Sequence, residues 1–222
     1  MVEEKLSPKQ LQAEKKIGEW LRKGRDDFSY FLFNFAKTLD THDKEMPIKS
    51  FPDFTYLQIL AEKFPTERKI LIVKSRQMMI TWLCTAYCLW DTLWHQGRFW
   101  FIVSKKEEDA NELVDRVKFI FYHLPRFIKD FVKIKDVYCK LEFIDNHSKV
   151  WGVSQDASAL RTYTASGIFS DELAFQPYAE KSYAAYKPTL DKQGQFIGVS
   201  TPDVKNFFYR LLYDEMKNES SN

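Results

Sequence analysis

From Arg68 onward, short apolar runs alternate with longer stretches whose apolar residues recur every three or four positions. That alternation predicts strands of period two or continuous burial, interleaved with amphipathic helices. The expected order is strand Lys69–Val73, helix Met79–His95, strand Phe99–Ser104 and helix Glu107–Tyr122. Strands over Val137–Phe143 and Lys149–Val153 follow, around the polar turn Asp145-Asn146-His147. Then come strand Ser166–Ser170, helix Tyr178–Tyr186, strand Gln195–Val199 and helix Phe207–Lys217. Strands separated by helices imply an α/β fold: a mostly parallel sheet flanked by helices on both faces.

The first third has a different texture. Ser7-Pro8-Lys9-Gln10 combines a Ser cap, Pro at the first helical position and Gln three residues after the cap, a strong helix start. This helix is expected to run to about Arg22 and stop near Gly24. Phe28, Phe31, Leu32 and Phe35 predict a second amphipathic helix. Thr38–Pro52 is polar, contains Pro47 and Pro52, and is expected to be an extended connection before a short helix from Pro52-Asp53 to Lys63. The organisation expected is a helical extension over 1–50, a sheet domain over 51–213 and a frayed tail over 214–222.

At 222 residues and 45% apolar content, the chain suits one domain with an ample core. A net charge of +2 gives no global basic field for nucleic acid, though a local basic surface is compatible with it. No stretch is long and apolar enough to span a bilayer. Three cysteines, an odd number, suit a reducing interior. Cys84 and Cys88 would share a helix face, as two buried apolar thiols or as a metal pair.

Candidate chemistry sits at the strand ends, where such sheets bind ligands. Lys74-Ser75-Arg76-Gln77-Met78-Met79-Ile80-Thr81 joins the first strand to its helix. A helix amino terminus offers free N–H groups and a favourable dipole to phosphate, and Thr81 can supply a hydroxyl to magnesium. Aligned to the pattern G-x-x-x-x-G-K-[ST], however, the loop has Lys74 and Met79 at the glycines and Ile80 at the lysine. The cation must then come from Lys74 or Arg76; the alternative is an ordinary strand-to-helix turn with both solvated. Ile168-Phe169-Ser170-Asp171-Glu172 ends another strand in two carboxylates. Asp171 can hold hydrated magnesium and Glu172 can orient the attacking water, although paired acids also occur at helix starts. Ser200 and Thr201 end the next strand, where they could sense a terminal phosphate or cap a helix.

The ordered set Tyr56-Leu57-Gln58, Lys74-Ser75-Arg76-Gln77, Leu160-Arg161, Phe169-Ser170-Asp171-Glu172-Leu173-Ala174-Phe175 and Val199-Ser200-Thr201-Pro202 resembles the ATPase half of the large terminase subunits of tailed bacteriophages. The resemblance covers roughly Phe51–Tyr213. It implies a P-loop NTPase fold of the ASCE type with a small C-terminal helical portion, and ATP hydrolysis with Mg2+ that drives double-stranded DNA into a procapsid. It also implies a ring homo-oligomer, contacts with portal protein and small terminase subunit, no membrane, and a virus-encoded protein in the host cytoplasm. By resemblance, Lys74 is the displaced lysine of a deviant Walker A loop, with Ser75, Arg76 and Gln77 beside it. Gln58 is the adenine-side glutamine; Thr81 and Asp171 face the metal; Glu172 orients water at the end of Walker B; Ser200 and Thr201 form the coupling motif. Arg161, ten residues before Asp171, resembles an arginine that reaches a neighbouring subunit's nucleotide.

Met79, Ile80 and Thr162 depart from the family pattern. Family members carry a metal nuclease after the ATPase, and none is expected in these residues. Two other readings fit part of the pattern: one RecA-like lobe of a helicase, or a degenerate nucleotide-fold module that only binds partners. Lys105-Lys106 and Lys133-Ile134-Lys135 are candidate contacts to DNA phosphates or simply solvated charge.

Overall fold

The computed structural model describes residues 7–156, 159–191 and 193–219. Helices α1 (Pro8–Asp26) and α2 (Phe28–Asn34) precede a two-stranded antiparallel hairpin, β1 (Lys37–Leu39) and β2 (Ile48–Ser50). Helix α3 (Thr55–Lys63) leads to β3 (Lys69–Val73), α4 (Ile80–Trp94), β4 (Phe99–Ser104) and α5 (Glu107–Tyr122). Next come the single turn α6 (Arg126–Lys129) and strands β5 (Ile134–Val137), β6 (Lys140–Phe143) and β7 (Ser148–Ser154). The short helix α7 (Ala159–Thr162), β8 (Gly167–Ser170), α8 (Ala179–Asp191), β9 (Gln195–Ser200) and α9 (Phe207–Glu219) complete the described chain. Residues 220–222 lie outside it.

Seven strands form the main sheet in the order β3-β9-β8-β4-β7-β6-β5. The first five are mutually parallel, and β6 and β5 extend the sheet antiparallel. Strands β4, β8 and β9 are buried throughout, as expected for parallel strands covered on both faces. Strand β4 shows how one segment serves two cores. Phe99, Phe101 and Val103 join Tyr186, Phe196 and Phe208 on one side. Trp100 and Ile102 face Phe28, Phe31, Tyr87 and Trp90 on the other. Successive side chains in a strand point to opposite faces, so an unbroken apolar run is required here. Among the described residues no helix is long and apolar enough to cross a membrane. Cys84, Cys88 and Cys139 are free, buried thiols, and no group of three potential metal-ligating side chains is found among the described residues.

The amino-terminal helices pack on the sheet domain through that second core. Phe28 lies 5.0 Å from the Tyr87 ring and 5.5 Å from Trp90. Helix α1 begins with the expected capping box but passes through Gly24 to Asp26. Gly24 serves packing rather than termination: a Cβ there would meet the Phe35 ring at 2.6 Å, and its carbonyl accepts from Trp90 Nε1 at 2.8 Å. The extended connection over 38–52 is paired into the hairpin, braced by the Lys49–Asp43 ion pair. The single strand expected over Val137–Phe143 is instead the end of β5, a tight turn and β6. Cys139 takes the left-handed conformation (φ 56°) that usually marks Gly or Asn, and its N–H donates to Asn111 Oδ1.

Candidate active site

Three neighbouring strands, β3, β9 and β8, end side by side. Their carboxyl ends bring Lys74, Ser200–Thr201 and Asp171–Glu172 together from distant parts of the sequence. Lys74 N–H donates to Ser200 O at 3.0 Å, extending the β3–β9 ladder by one rung.

The loop after β3 folds back through two left-handed residues, Gln77 (φ 62°) and Met79 (φ 59°). For side chains other than Gly this costs roughly 1–2 kcal/mol per residue, so neighbouring contacts must hold the loop. Tyr56 OH donates to Met78 O at 3.2 Å, and Ser75 N–H reaches Met78 Sδ at 3.3 Å. Met78 and Met79 pack on the core. Met79 N-caps α4, a 15-residue helix with no side-chain cap bond at its start, so its first amides remain available to an anion. Ile80, which occupies the usual lysine position, is 2% exposed. That position belongs to the core.

The buried cation of the loop is Lys74. Its Nζ lies 2.8 Å from Glu172 Oε1. The other carboxylate oxygen, Oε2, is ringed by Ser200 Oγ (3.4 Å), Thr201 N (3.3 Å) and Thr201 Oγ1 (3.4 Å). Burial raises the Glu172 carboxyl, but the bonds from Lys74 and Thr201 outweigh it and hold it below its ordinary value. Glu172 therefore stands ionised at neutral pH. Its backbone is also left-handed (φ 49°), a conformation that persists only where surroundings impose it.

Asp171 lies deeper. Its N–H donates to Val103 O, continuing the β8–β4 ladder, and its carboxylate accepts from Thr81 Oγ1 at 3.3 Å. Hydroxyl and carboxylate oxygens together are the donor set that magnesium takes. Burial raises the Asp171 carboxyl to about 6, against the opposing charge of Lys74. The folded chain thus holds this proton more tightly than the unfolded chain. Stability from the protonated form is complete below the ordinary value, about 4, and is lost as pH rises through about 6. The loss amounts to about 3 kcal/mol. Without metal, Asp171→Asn should gain about that much on wild type between pH 4 and pH 7.5, measured by urea unfolding. A difference that does not change with pH would refute the assignment.

A cleft of about 780 Å³ opens over these groups, lined on one side by Lys74, Arg76, Gln77, Thr81 and Glu172. The β1–β2 hairpin and Phe54 form the opposite wall. Two polar residues here have no signature in the sequence. Arg116 of α5 lines the cleft with its guanidinium over the Trp82 ring, 5.3 Å from the centroid. Gln176, 5% exposed, donates from Nε2 to Asp171 O (2.8 Å) and Ser170 Oγ (3.0 Å), fixing the strand end. Arg116 acts through a contact between helices that no local spacing reveals, whereas Gln176 reaches back only five and six residues.

Other anticipated residues lie apart. Gln58 bonds Asp53 through Nε2 and is not among the described cleft-lining residues. Ser75 contributes its backbone to the loop and does not line the cleft. Arg161 is exposed on α7 and lines a separate cleft of about 380 Å³ with Lys181 and Tyr178. That second cleft is joined to the end of β4: Gln155 Oε1 accepts from Tyr178 N at 2.7 Å, and Gln155 N donates to Ser104 O.

No protein-family model matches the chain. Solved structures do. The ATPase domain of the large terminase of Thermus phage P74-26 superposes with a TM-score of 0.54 at 20% identity, covering 64% of this chain and 62% of that one. The large terminase of bacteriophage HK97 gives 0.67 at 10% identity, covering 88% of this chain and 42% of that one. The UvsW helicase of bacteriophage T4 gives 0.54 at 14% identity, covering 94% and 66%. The chain thus spans less than two thirds of the P74-26 domain and less than half of the HK97 terminase. At these identities the likeness is one of fold: a mostly parallel sheet flanked by helices, the P-loop NTPase fold of terminase ATPase domains and RecA-like helicase domains.

Proposed function

We propose that this chain is the ATPase domain of a large terminase subunit, hydrolysing ATP to move duplex DNA into a viral procapsid in the host cytoplasm. The observation that carries the reading is the convergence on Glu172: Lys74 on one carboxylate oxygen, Ser200 and Thr201 on the other. Thr81 and Asp171 beside it form the oxygen pair that would hold magnesium. When bound, the metal would neutralise phosphate charge.

The chain's own groups supply the rest. The amides of the loop and the start of α4 receive phosphate oxygens. Glu172, ionised, accepts a hydrogen bond from the attacking water and orients it toward the terminal phosphorus. Water's oxygen bonds to phosphorus as the bond to the bridging oxygen breaks, giving ADP and phosphate. Lys74 lies between Glu172 and the loop, so its charge can be shared between carboxylate and phosphate. Ser200 and Thr201 touch the same carboxylate and end β9, so displacement of Glu172 would be felt by that strand. DNA would be gripped through its phosphates, largely without regard to sequence. Lys105-Lys106, directly beyond β4 and on the site's side of the sheet, are the first candidates. Ring assembly, the portal protein and the small terminase subunit belong to this same proposal.

A second reading, one motor lobe of a helicase, is favoured by the UvsW superposition over 94% of the chain. The measurement that separates them is ATP turnover per subunit at rising protein concentration, with and without blunt duplex, beside strand separation on a forked duplex. The packaging reading expects per-subunit turnover to climb at least about tenfold on assembly, with no strand separation. Fork unwinding with concentration-independent turnover would select the helicase lobe.

A further inference from the structure

We propose that Arg116 is a second phosphate-binding cation of this site, supplied in cis by α5 to the terminal phosphate of bound nucleoside triphosphate. The inference rests on the ATPase reading and adds a residue to it. Two observations point the same way. Arg116 lines the cleft beside Lys74, Thr81 and Glu172. Its guanidinium lies over Trp82, 5.3 Å from the ring centroid, and makes no ion pair or hydrogen bond to any described residue. By contrast, Arg98, also part-buried, is tied to Asp91 at 2.7 Å.

The charge balance of the site explains the need. A triphosphate brings several negative charges to a place that already holds Asp171 and Glu172. The usual loop lysine is replaced by buried Ile80, and Lys74 is already engaged by Glu172. Beyond the exposed loop residue Arg76, which lines the same cleft, α5 adds a part-buried cation with no fixed anionic partner. A guanidinium can meet a phosphate with two parallel N–H donors. The face of Trp82 holds the flat group in the cleft without neutralising it.

The test is equilibrium binding of ADP and of a non-hydrolysable ATP analogue to wild type, Arg116→Ala, Arg116→Lys and Lys74→Met, with folding checked by urea unfolding. Arg116→Ala is expected to weaken the ATP analogue about tenfold or more and ADP by less than about twofold. Arg116→Lys should recover part of the loss, because a point charge replaces the fork. Equal weakening of both nucleotides, or no change in either, overturns the assignment. If Lys74→Met loses binding while Arg116→Ala binds as wild type, only Arg116 is misassigned. If wild type binds neither nucleotide, the ATPase reading falls and takes this inference with it.

Discussion

Glu172→Gln is expected to lower ATP turnover by about 10²–10⁴-fold, the range for removal of a positioned general base, while leaving nucleotide binding in place. The substitution keeps the size of the side chain and its acceptor oxygen, so one bond of the Ser200–Thr201 ring can persist. It removes the charge that Lys74 faces at 2.8 Å. Lys74 then has no ionic partner on the carboxylate side and is free to bind phosphate, so affinity for ATP should hold or rise. This separates the prediction from simple unfolding, which would lower binding and turnover together. Phosphate release and equilibrium nucleotide binding measured on one preparation decide it. Turnover within a few-fold of wild type would remove Glu172 from the chemistry.

Arg161→Ala should cost about 10³-fold or more in assembled turnover, the scale of an arginine finger acting in trans. Arg161 sits on the exposed helix α7 and lines a cleft different from the one that holds Lys74 and Glu172. An arginine so placed does not line its own subunit's candidate nucleotide cleft, and under the packaging proposal it would act on a neighbour's. The decisive form of the test is mixing. Arg161→Ala subunits keep Glu172, and Glu172→Gln subunits keep Arg161. Mixed rings contain interfaces with both groups intact, so activity absent from either variant alone should return. No recovery on mixing, with assembly shown by mass, would place Arg161 outside the reaction. Tyr178 beside Arg161 bonds Gln155, and Gln155 bonds the end of β4, so the second cleft is held to the main sheet.

The parallel strands were legible as apolar runs, which burial on both faces demands of β4, β8 and β9. Ile70-Leu71-Ile72-Val73 and Phe99–Val103 have no polar interruption, and β3, β4 and α5 fall within the bounds that the pattern predicts. Legibility failed where backbone geometry is imposed rather than intrinsic. Cys139 turns the β5–β6 hairpin in a conformation for which its side chain gives no signal. Gly24 carries a strong signal for a helix end, yet it is there to admit the Phe35 ring. The site divides in the same way. Asp171, Glu172, Ser200 and Thr201 lie at the ends of apolar strands, so topology brings them together once the strands are known. Lys74 is adjacent to β3 and is carried with it. Arg116 enters only because α5 packs beside α4 at the cleft, which no spacing in the chain announces, and Gln176 enters through a turn after β8 that carries no motif.

The position of β9 has a kinetic consequence. It is the last strand among the described residues, yet it inserts between β8 and β3. Until it arrives, β3 has no partner in the sheet, and Lys74 is separated from Glu172 by an empty lane. Contacts of such high sequence separation form slowly. During synthesis the chain must therefore wait, with two open strand edges facing each other, until residues 195–200 leave the ribosome. The catalytic cluster is then completed in the same event that closes the sheet. A nascent chain that has not finished folding consequently has no assembled site with which to consume nucleotide.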